Sequence, residues 1–282
     1  MACKKILTIQ DISCVGQCSM TVALPVLSAW GHETCVLPTA LLSTHTGGFG
    51  TPEVIHFDEA LQGFWKHWQQ NHISFDAVLV GYLGSCSAVK IAEDIVDRLL
   101  APGGICIVDP AMADHGKLYC GLNEDYAHAI CSLCRRADYI LPNMTEAALL
   151  TGTPWREDLD SASIKALCTK MNHPCIILKG KRSSDSKYKY ENFLWQKGQL
   201  SVFRHSAVPG SFSGTGDLFA ACFTGALLLG IETGMAIDIA GGLTGLCVEN
   251  TIRESAHWYG IRFETILPNI TQISQNVLKS YK

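Results

Sequence analysis

The sequence predicts an α/β fold in which a central, mainly parallel sheet is covered by helices on both faces. Short apolar segments typical of buried strands alternate with segments of helical composition along the 282 residues. No proline- or serine-rich linker, internal repeat or low-complexity tract divides the chain. We therefore expect a single domain, residues 1–282, with a substantial core.

The strands are predicted from short apolar runs that end at polar, glycine or proline residues. In chain order they cover residues 5–10, 35–38, 77–80, 105–108, 139–141 and 175–178, followed by 190–195 and 200–204. The last two are expected to form a hairpin, because Lys197-Gly198 places turn residues between them. A polar bend at 11–16 ends the first strand, so Asp11 is expected outside it.

The helices are predicted from apolar residues at helical spacing and from residues that end a helix. Residues 57–70 form an amphipathic pattern to which Phe64, Trp65 and Trp68 contribute the apolar side, and Gly152 ends a later helix. The predicted helices cover residues 19–30, 57–70, 89–100, 126–135, 145–152, 163–171, 217–229 and 235–251, with another near the C-terminus.

Composition limits the class of partner. Charged residues make up 17% and hydrophobic residues 48%, which is typical of a globular protein. A net charge of −4 without a long basic run argues against nucleic acid or an anionic membrane as the main partner. Thirteen scattered cysteines and an N-terminus without the apolar core of a signal peptide favour a cytoplasmic protein with reduced thiols.

A glycine turn that leads into an apolar helix, residues 211–229, is the most informative segment. Gly214, Thr215 and Gly216 form the turn and Asp217 opens the helix. Glycines allow a phosphate to approach the unpaired N–H groups of a helix start, so the turn is a candidate anion site. Asp217 fits such a site if it accepts a proton from a hydroxyl that attacks the phosphate. The alternative is an ordinary aspartate in the first turn of a buried helix.

Polar residues also follow the predicted strands, where parallel sheets bind their ligands. They are Asp11, Tyr82, Asp109, Asn143 and Lys179. Together with the glycine turn, these residue types suit a substrate, a metal ion and a phosphate. Asp109 alone has a second interpretation, because an aspartate before a proline is a common turn former.

Seven motifs lie along the chain in the following order: Gln10 with Gly16, Ser43-x-His-Thr46, Gly81-Tyr-Leu-Gly-Ser85, Asp109-Pro-x-Met-x-Asp114, Pro142-Asn-x-x-Glu146, Leu150-Thr-Gly152 and Gly214-Thr-Gly-Asp-Leu-Phe-Ala220. Together they resemble the motifs of the pyridoxal kinases, in the branch of the ribokinase-like superfamily that also contains the hydroxymethylpyrimidine kinases. The resemblance implies a ribokinase-like three-layer α-β-α sandwich. It also implies ATP-dependent phosphorylation of the 5′-hydroxymethyl group of a vitamin B6 vitamer, with Mg²⁺, a monovalent cation such as K⁺ and a homodimer.

The same resemblance assigns roles to individual residues. Asp217 falls on the catalytic base and on the substrate site, and the turn of Gly214, Thr215 and Gly216 falls on the anion hole. The positions that bind ATP are Asp109, Asn143, Glu146, Lys179, Gly214 and Gly216. Those that hold the metal are Asp109, Asp114 and Glu146. The charged loop 181–189 would lie beside Lys179, either in contact with ATP or simply solvated.

Asp11, Thr46 and Tyr82 would border the pyridine ring, with Tyr82 stacked against it. Asp11 departs from the pyridoxal kinase pattern, which usually has serine there, so it could pair with a protonated pyridine nitrogen or contact a substrate hydroxyl. Ala113 replaces a glycine of the family motif. Cys120 lies in the expected lid and is a candidate for the cysteine with which some of these kinases trap the aldehyde.

Two other functions are weighed against a B6 kinase. The first is a hydroxymethylpyrimidine or another small-alcohol kinase of the same fold. The second is a non-catalytic B6-binding protein. Asp217 beside its glycine turn argues against the second, because a protein that only binds the vitamer needs no base beside an anion hole.

Overall fold

The computed structural model describes residues 3–182, 189–206, 212–254 and 257–280. Its strands are β1 (Lys5–Ser13), β2 (Glu33–Leu42), β3 (Val54–His56), β4 (Phe75–Val80), β5 (Leu100–Val108), β6 (Ala113–Asp114), β7 (Lys117–Leu118), β8 (Tyr139–Ile140), β9 (Cys175–Arg182), β10 (Lys189–Gln196) and β11 (Gln199–Ser206). Its helices are α1 (Met20–Ala29), α2 (Asp58–Gln70), α3 (Cys86–Leu99), α4 (Glu124–Cys134), α5 (Met144–Thr151), α6 (Ser161–Met171), α7 (Thr215–Leu228), α8 (Thr233–Ile252) and α9 (Leu267–Ser280), with a 3₁₀ turn at Phe263–Ile266.

Nine of the strands form one sheet in the order β11-β10-β9-β8-β5-β4-β1-β2-β3. The six strands from β9 to β2 in this order are parallel, whereas β3 and the β10–β11 hairpin are antiparallel to their neighbours. The predicted mainly parallel sheet is therefore confirmed. The short edge strand β3 and the separate two-stranded hairpin β6–β7 were not predicted.

Successive side chains along a strand point to opposite faces of the sheet, so the strands contribute to two hydrophobic cores, one on each face. In β4, Val78 and Val80 pack with helices α2 to α6, whereas Ala77 and Leu79 pack with α1, α7, α8 and α9. Helix α7 is apolar on nearly all sides because it is enclosed by the sheet, α1 and α8. Within the described part of the chain, no helix combines the length and the apolar character needed to cross a membrane.

Strand β1 runs further than the sequence predicted. Its pairing with β2 is irregular between Gln10 and Ile12 and then resumes up to Ser13. The backbone N–H of Asp11 donates to the carbonyl oxygen of Tyr82 at 3.2 Å. The expectation that a polar bend ends the strand at Gln10 is therefore wrong. The backbone N–H of Asp11 is hydrogen-bonded to the segment that follows β4, and this bond keeps Asp11 in the strand.

Candidate functional site

The site lies at the carboxyl ends of the parallel strands, where an ion pair faces the start of α7. Lys179 Nζ, on β9, lies 2.5 Å from Asp109 Oδ2, just beyond β5. A Cβ atom placed on Gly216 would lie 3.7 Å from this Nζ, so the ammonium group adjoins the glycine turn. Burial alone would lower the pKa of Lys179, but Asp109 and Glu146 outweigh it and raise that pKa. The lysine therefore stays charged.

Asp217 lies in the first turn of α7, and one of its oxygens is engaged. The backbone N–H of Ser19 donates to Asp217 Oδ2 at 2.8 Å. Burial raises the pKa of Asp217 to about 6, and the carboxylates of Asp109 and Asp11 add to the shift, while the Ser19 hydrogen bond and Lys179 oppose it. This carboxylate can accept a proton near neutral pH.

The turn before α7 is shaped by close packing. Gly214 has φ 89°, a left-handed conformation that favours glycine. A Cβ atom there would collide with the carbonyl oxygen of Gln17, in the loop between β1 and α1. Thr215 Oγ1 donates to the carbonyl of Phe212 at 3.2 Å. The turn thus places the start of α7 beside the ion pair, and the N–H groups of the first helical turn have no intrahelical partners.

Asp11 lies close to both Tyr82 and Asp217. Asp11 is 3% exposed, and its Oδ2 accepts a hydrogen bond from Ser13 Oγ at 3.1 Å. Burial raises the pKa of Asp11. The pKa of Tyr82 is raised to about 12 by burial and then by Asp11 and Cys120. The structure therefore brings Tyr82 close to both Asp11 and the exposed Cys120.

Thr46 is exposed on the loop between β2 and β3, and its neighbour His45 fixes this loop. His45 Nδ1 accepts the N–H of Gly47 at 2.9 Å, and its Nε2 donates to the carbonyl of Tyr259 at 2.6 Å. The ring fits only because position 16 is glycine, where a Cβ atom would collide with it. Sequence reasoning quoted His45 within a motif but gave it no role.

The hairpin β6–β7 is attached to the N-terminus of α5. Asn143 Nδ2 donates to the carbonyl of Ala113 at 2.8 Å, and the N–H of Gly116 donates to Thr145 Oγ1 at 3.0 Å. Glu146 Oε1 accepts the N–H of Met112 at 3.2 Å, and its Oε2 accepts the N–H of Asn143 at 2.8 Å. Asn143 and Glu146, predicted to bind ATP, here anchor Met112 and Ala113 at the start of the hairpin.

The three predicted metal ligands do not form a ready metal site. Asp109 is paired with Lys179, both oxygens of Glu146 accept backbone N–H groups, and Asp114 is exposed on the hairpin. Over the described ranges, no three His, Cys, Asp or Glu side chains are grouped so that they could hold a metal ion. Oxygen donors of this kind still fit Mg²⁺, which is usually bound partly through water and substrate phosphates.

Two predicted segments fall wholly or partly outside the described residues. The centre of the charged loop, 183–188, and the residues before the glycine turn, 207–211, are among them. The glycine turn itself, from Gly214 to Asp217, is described.

Sequence comparison identifies small-molecule kinases as relatives of this chain. The sequence profile of the phosphomethylpyrimidine kinase family matches residues 50–258. A pyridoxine/pyridoxal/pyridoxamine kinase of Bordetella avium is 28% identical over 242 residues, which are 83% of this chain and 80% of that protein.

Solved structures overlap over almost the whole chain. The crystal structure of pyridoxal kinase from Lactobacillus plantarum superposes with a TM-score of 0.89 at 30% identity and covers 98% of this chain and 99% of its own. A Bacteroides thetaiotaomicron protein assigned to the phosphomethylpyrimidine kinases, solved in a form with pyridoxal, gives a TM-score of 0.87 at 28% identity and covers 95% of this chain and 96% of its own.

Proposed function

We propose that this chain, which belongs to the phosphomethylpyrimidine kinase family, transfers the γ-phosphate of ATP to the 5′-hydroxymethyl group of a vitamin B6 vitamer, giving the 5′-phosphate and ADP. The relatives from Bordetella avium and Lactobacillus plantarum are B6 kinases, and their similarity extends over most of this chain. The observation that carries the proposal is Asp217, a carboxylate with one engaged oxygen beside a glycine turn and a buried lysine.

In the proposed reaction Asp217 is the general base. Oδ2 is held by Ser19, so Oδ1 takes the proton of the substrate hydroxyl. The N–H groups of the turn formed by Gly214, Thr215 and Gly216 bind the transferring phosphoryl group. Lys179 stabilises the negative charge that spreads over its oxygens. Transfer of this kind depends mainly on positioning and on charge stabilisation, which these residues supply together.

ATP is proposed to lie along the strand ends from Asp109 and Lys179 to Asn143 and Glu146. Mg²⁺, when bound with ATP, would neutralise charge on the phosphates. Asp109 and Asp114 would hold it through oxygen atoms and water. Glu146 acts by fixing the hairpin, because its oxygens accept the backbone N–H groups of Met112 and Asn143. A monovalent cation such as K⁺ is a further proposed cofactor, taken over from the family resemblance.

The vitamer is proposed to bind between Asp11, Tyr82 and Thr46. A face of Tyr82 against the pyridine ring would contribute about 1 kcal/mol of stacking. Asp11 would bond either the pyridine nitrogen or a ring hydroxyl, since a raised pKa lets this carboxyl group act as donor or acceptor. Cys120, exposed beside Tyr82, is a proposed partner for the aldehyde of pyridoxal.

We further propose that residues 1–282 act as one kinase domain in the cytoplasm and assemble as a homodimer. All thirteen cysteines are free thiols, which suits a reducing compartment. The edge strand β3 exposes Val54 and Ile55, apolar side chains that a second copy could cover.

Phosphorylation of hydroxymethylpyrimidine is the second candidate function. The matching family profile is described as phosphomethylpyrimidine kinase, but the relatives from Bordetella avium and Lactobacillus plantarum are B6 kinases, so this alternative is the less favoured of the two. The reaction would use the same base and anion hole on a different alcohol, so only the acceptor separates the two candidates.

The test is ADP release by the purified protein with Mg-ATP, K⁺ and, separately, pyridoxal, pyridoxamine, pyridoxine and hydroxymethylpyrimidine. We expect turnover with at least one B6 vitamer. Asp217→Asn should lower kcat by at least about 100-fold while ATP still binds. Asp125→Asn, an exposed aspartate in the first turn of α4, is the matched control and should leave kcat unchanged. If hydroxymethylpyrimidine were phosphorylated and none of the three B6 vitamers were, the second candidate function would replace the first.

A further inference from the structure

Ser19, in the loop between β1 and α1, has an unusual backbone conformation. Its φ is 50° and its ψ is −127°, a combination of backbone angles that residues other than glycine rarely adopt. The residue is 6% exposed. It occupies the N-cap of α1, yet its hydroxyl makes no capping hydrogen bond. A serine at this position usually caps the helix, so both its backbone and its side chain depart from the ordinary role.

This conformation directs the two ends of the residue to different partners. The carbonyl oxygen of Ser19 accepts the N–H groups of Val22 at 3.1 Å and Ala23 at 2.9 Å, which starts α1. Its own N–H points the other way and donates to Asp217 Oδ2 at 2.8 Å. Burial raises the pKa of Asp11, and the side chain of Ser19 lies close enough to this carboxyl group to lower it in part. One residue thus links the start of α1 to the base and lies close to the carboxyl group at the substrate side.

The loop that carries Ser19 is packed on both sides. The ring of His45 lies against Gly16, and the carbonyl oxygen of Gln17 lies against Gly214. The groups whose charge acts on Asp217 are Asp109 and Asp11, which are negative, and Lys179, which is positive. The Cys18 thiol also adjoins Asp217 and Asp11, and burial raises its pKa, so it is uncharged.

We propose that Ser19 is the positioning residue of the catalytic base. Its left-handed backbone aims its N–H at Asp217 Oδ2, fixes the plane of the carboxylate and leaves Oδ1 free for the acceptor hydroxyl. The proposal rests on the proposed kinase function for the role of Asp217.

Three substitutions vary the backbone preference of this position while the hydroxyl is absent from each: Ser19→Gly, Ser19→Ala and Ser19→Val. All three remove the hydroxyl, but only glycine adopts this backbone conformation without strain, and a β-branched residue tolerates it least. If the backbone positions the base, kcat should stay within about threefold of wild type for glycine and fall about 10- to 100-fold for valine. Alanine should lie between them, and KM for ATP should change less than kcat. Equal effects of all three variants would overturn the proposal.

A double-mutant cycle with Asp217→Asn tests whether Ser19 acts through the base. Without the carboxylate, Ser19→Val should lower the residual kcat by less than about threefold. A loss as large as in the wild-type background would mean general damage to the site and would contradict the proposal. If the valine variant does not fold, Ser19→Ala takes its place in the cycle.

The geometry can also be tested without activity. In a protein labelled with ¹⁵N-serine, the amide proton of Ser19 should resonate downfield because it donates to a carboxylate. It should move upfield in Asp217→Ala and remain in place in the control Asp125→Ala. An unchanged resonance in Asp217→Ala would overturn the proposed contact. If the expected shift is found in a protein that turns over no B6 vitamer, the contact holds and the proposed function fails.

Discussion

At the scale of single residues, the carboxylate of Asp217 shows how surroundings turn an aspartate into a base. Burial raises its pKa to about 6, and two neighbouring carboxylates add to this, while Ser19 and Lys179 limit the shift. An aspartate at its ordinary value of 3.8 would accept a proton poorly. A pKa closer to neutrality brings the group nearer to the alcohol that it has to deprotonate.

This pKa has a consequence for activity. Because the base must be ionised, kcat/KM should rise as the pH increases through about 6. The Asp217→Asn variant has no side chain at this position that ionises near pH 6, so its residual kcat/KM should not rise with pH in this range. The measurement is ADP release between pH 5 and about 8 at subsaturating vitamer. A profile that is flat across pH 6 in the wild type would contradict the assignment.

The same group should affect stability. The folded-state pKa of Asp217 lies above its ordinary value of 3.8, so the ionised carboxylate destabilises the folded state at neutral pH. The penalty disappears as the pH falls from about 6 towards 4. Asp217→Asn should therefore raise the free energy of unfolding by about 1 to 3 kcal/mol at neutral pH, and much less at pH 4. Urea denaturation with Asp125→Asn as control measures this, and a less stable Asp217→Asn at neutral pH would refute it.

Asp11 gives a prediction about substrate preference. Asp11→Ser restores the residue usual in pyridoxal kinases and removes a buried carboxyl group that accepts from Ser13. We expect the ranking of the vitamers by kcat/KM to change about tenfold, because the group that meets the ring changes from an acid to an alcohol. The maximal rate should change less. If ranking and rate both stay fixed, Asp11 does not contact the substrate.

At the scale of elements, the N-terminus of α5 and the hairpin β6–β7 form one unit. The Asn-x-x-Glu pattern at 143–146 is a capping-box spacing, and the structure has both of its hydrogen bonds. The sequence indicated the helix and the importance of these two residues. It could not indicate the hairpin, because strands of two residues leave no periodic pattern, and their stability comes from α5 through side-chain contacts.

Substitution of Thr145 tests whether α5 holds the hairpin in place. Thr145→Val keeps the shape of the side chain but removes the oxygen that accepts the N–H of Gly116. The hairpin should loosen, so trypsin should cleave after the exposed Lys117 several-fold faster, and KM for Mg-ATP should rise about 3- to 10-fold. Thr151→Val, at the other end of α5, is the control. Unchanged cleavage after Lys117 would show that Thr145 does not hold the hairpin.

At the scale of the whole molecule, the sequence predicted the layers because each parallel strand is buried on both faces. Ile6 and Leu7 in β1 enter opposite cores, which makes the strand a continuous apolar run that is easy to recognise. The ribokinase-like fold is confirmed by the close overlap with the Lactobacillus plantarum kinase. Strand β3 escaped prediction because its exposed position at the sheet edge leaves it without such a run.

The same edge gives the prediction about assembly. If a second copy covers β3, the mass in solution should be that of two chains, about twice 30.7 kDa. Ile55→Lys places a charge on a side chain that is 59% exposed and should shift the protein towards the monomer. Light scattering coupled to size-exclusion chromatography measures both. A wild-type monomer would contradict the proposed homodimer.

The carboxyl groups of Asp109, Glu146 and Asp217 lie close enough to the ammonium group of Lys179 to raise its pKa, so the site contains several buried groups that can bind or release a proton. Burial and Asp109 raise the pKa of Glu146 to about 8, and that of Asp217 is raised to about 6, so both groups can change occupancy when a polyanion arrives. Nucleotide binding should therefore be accompanied by net proton uptake, and its enthalpy should depend on the heat of ionisation of the buffer. Through this linkage, the acidity of the surroundings would act on nucleotide affinity itself, separately from its effect on the chemical step.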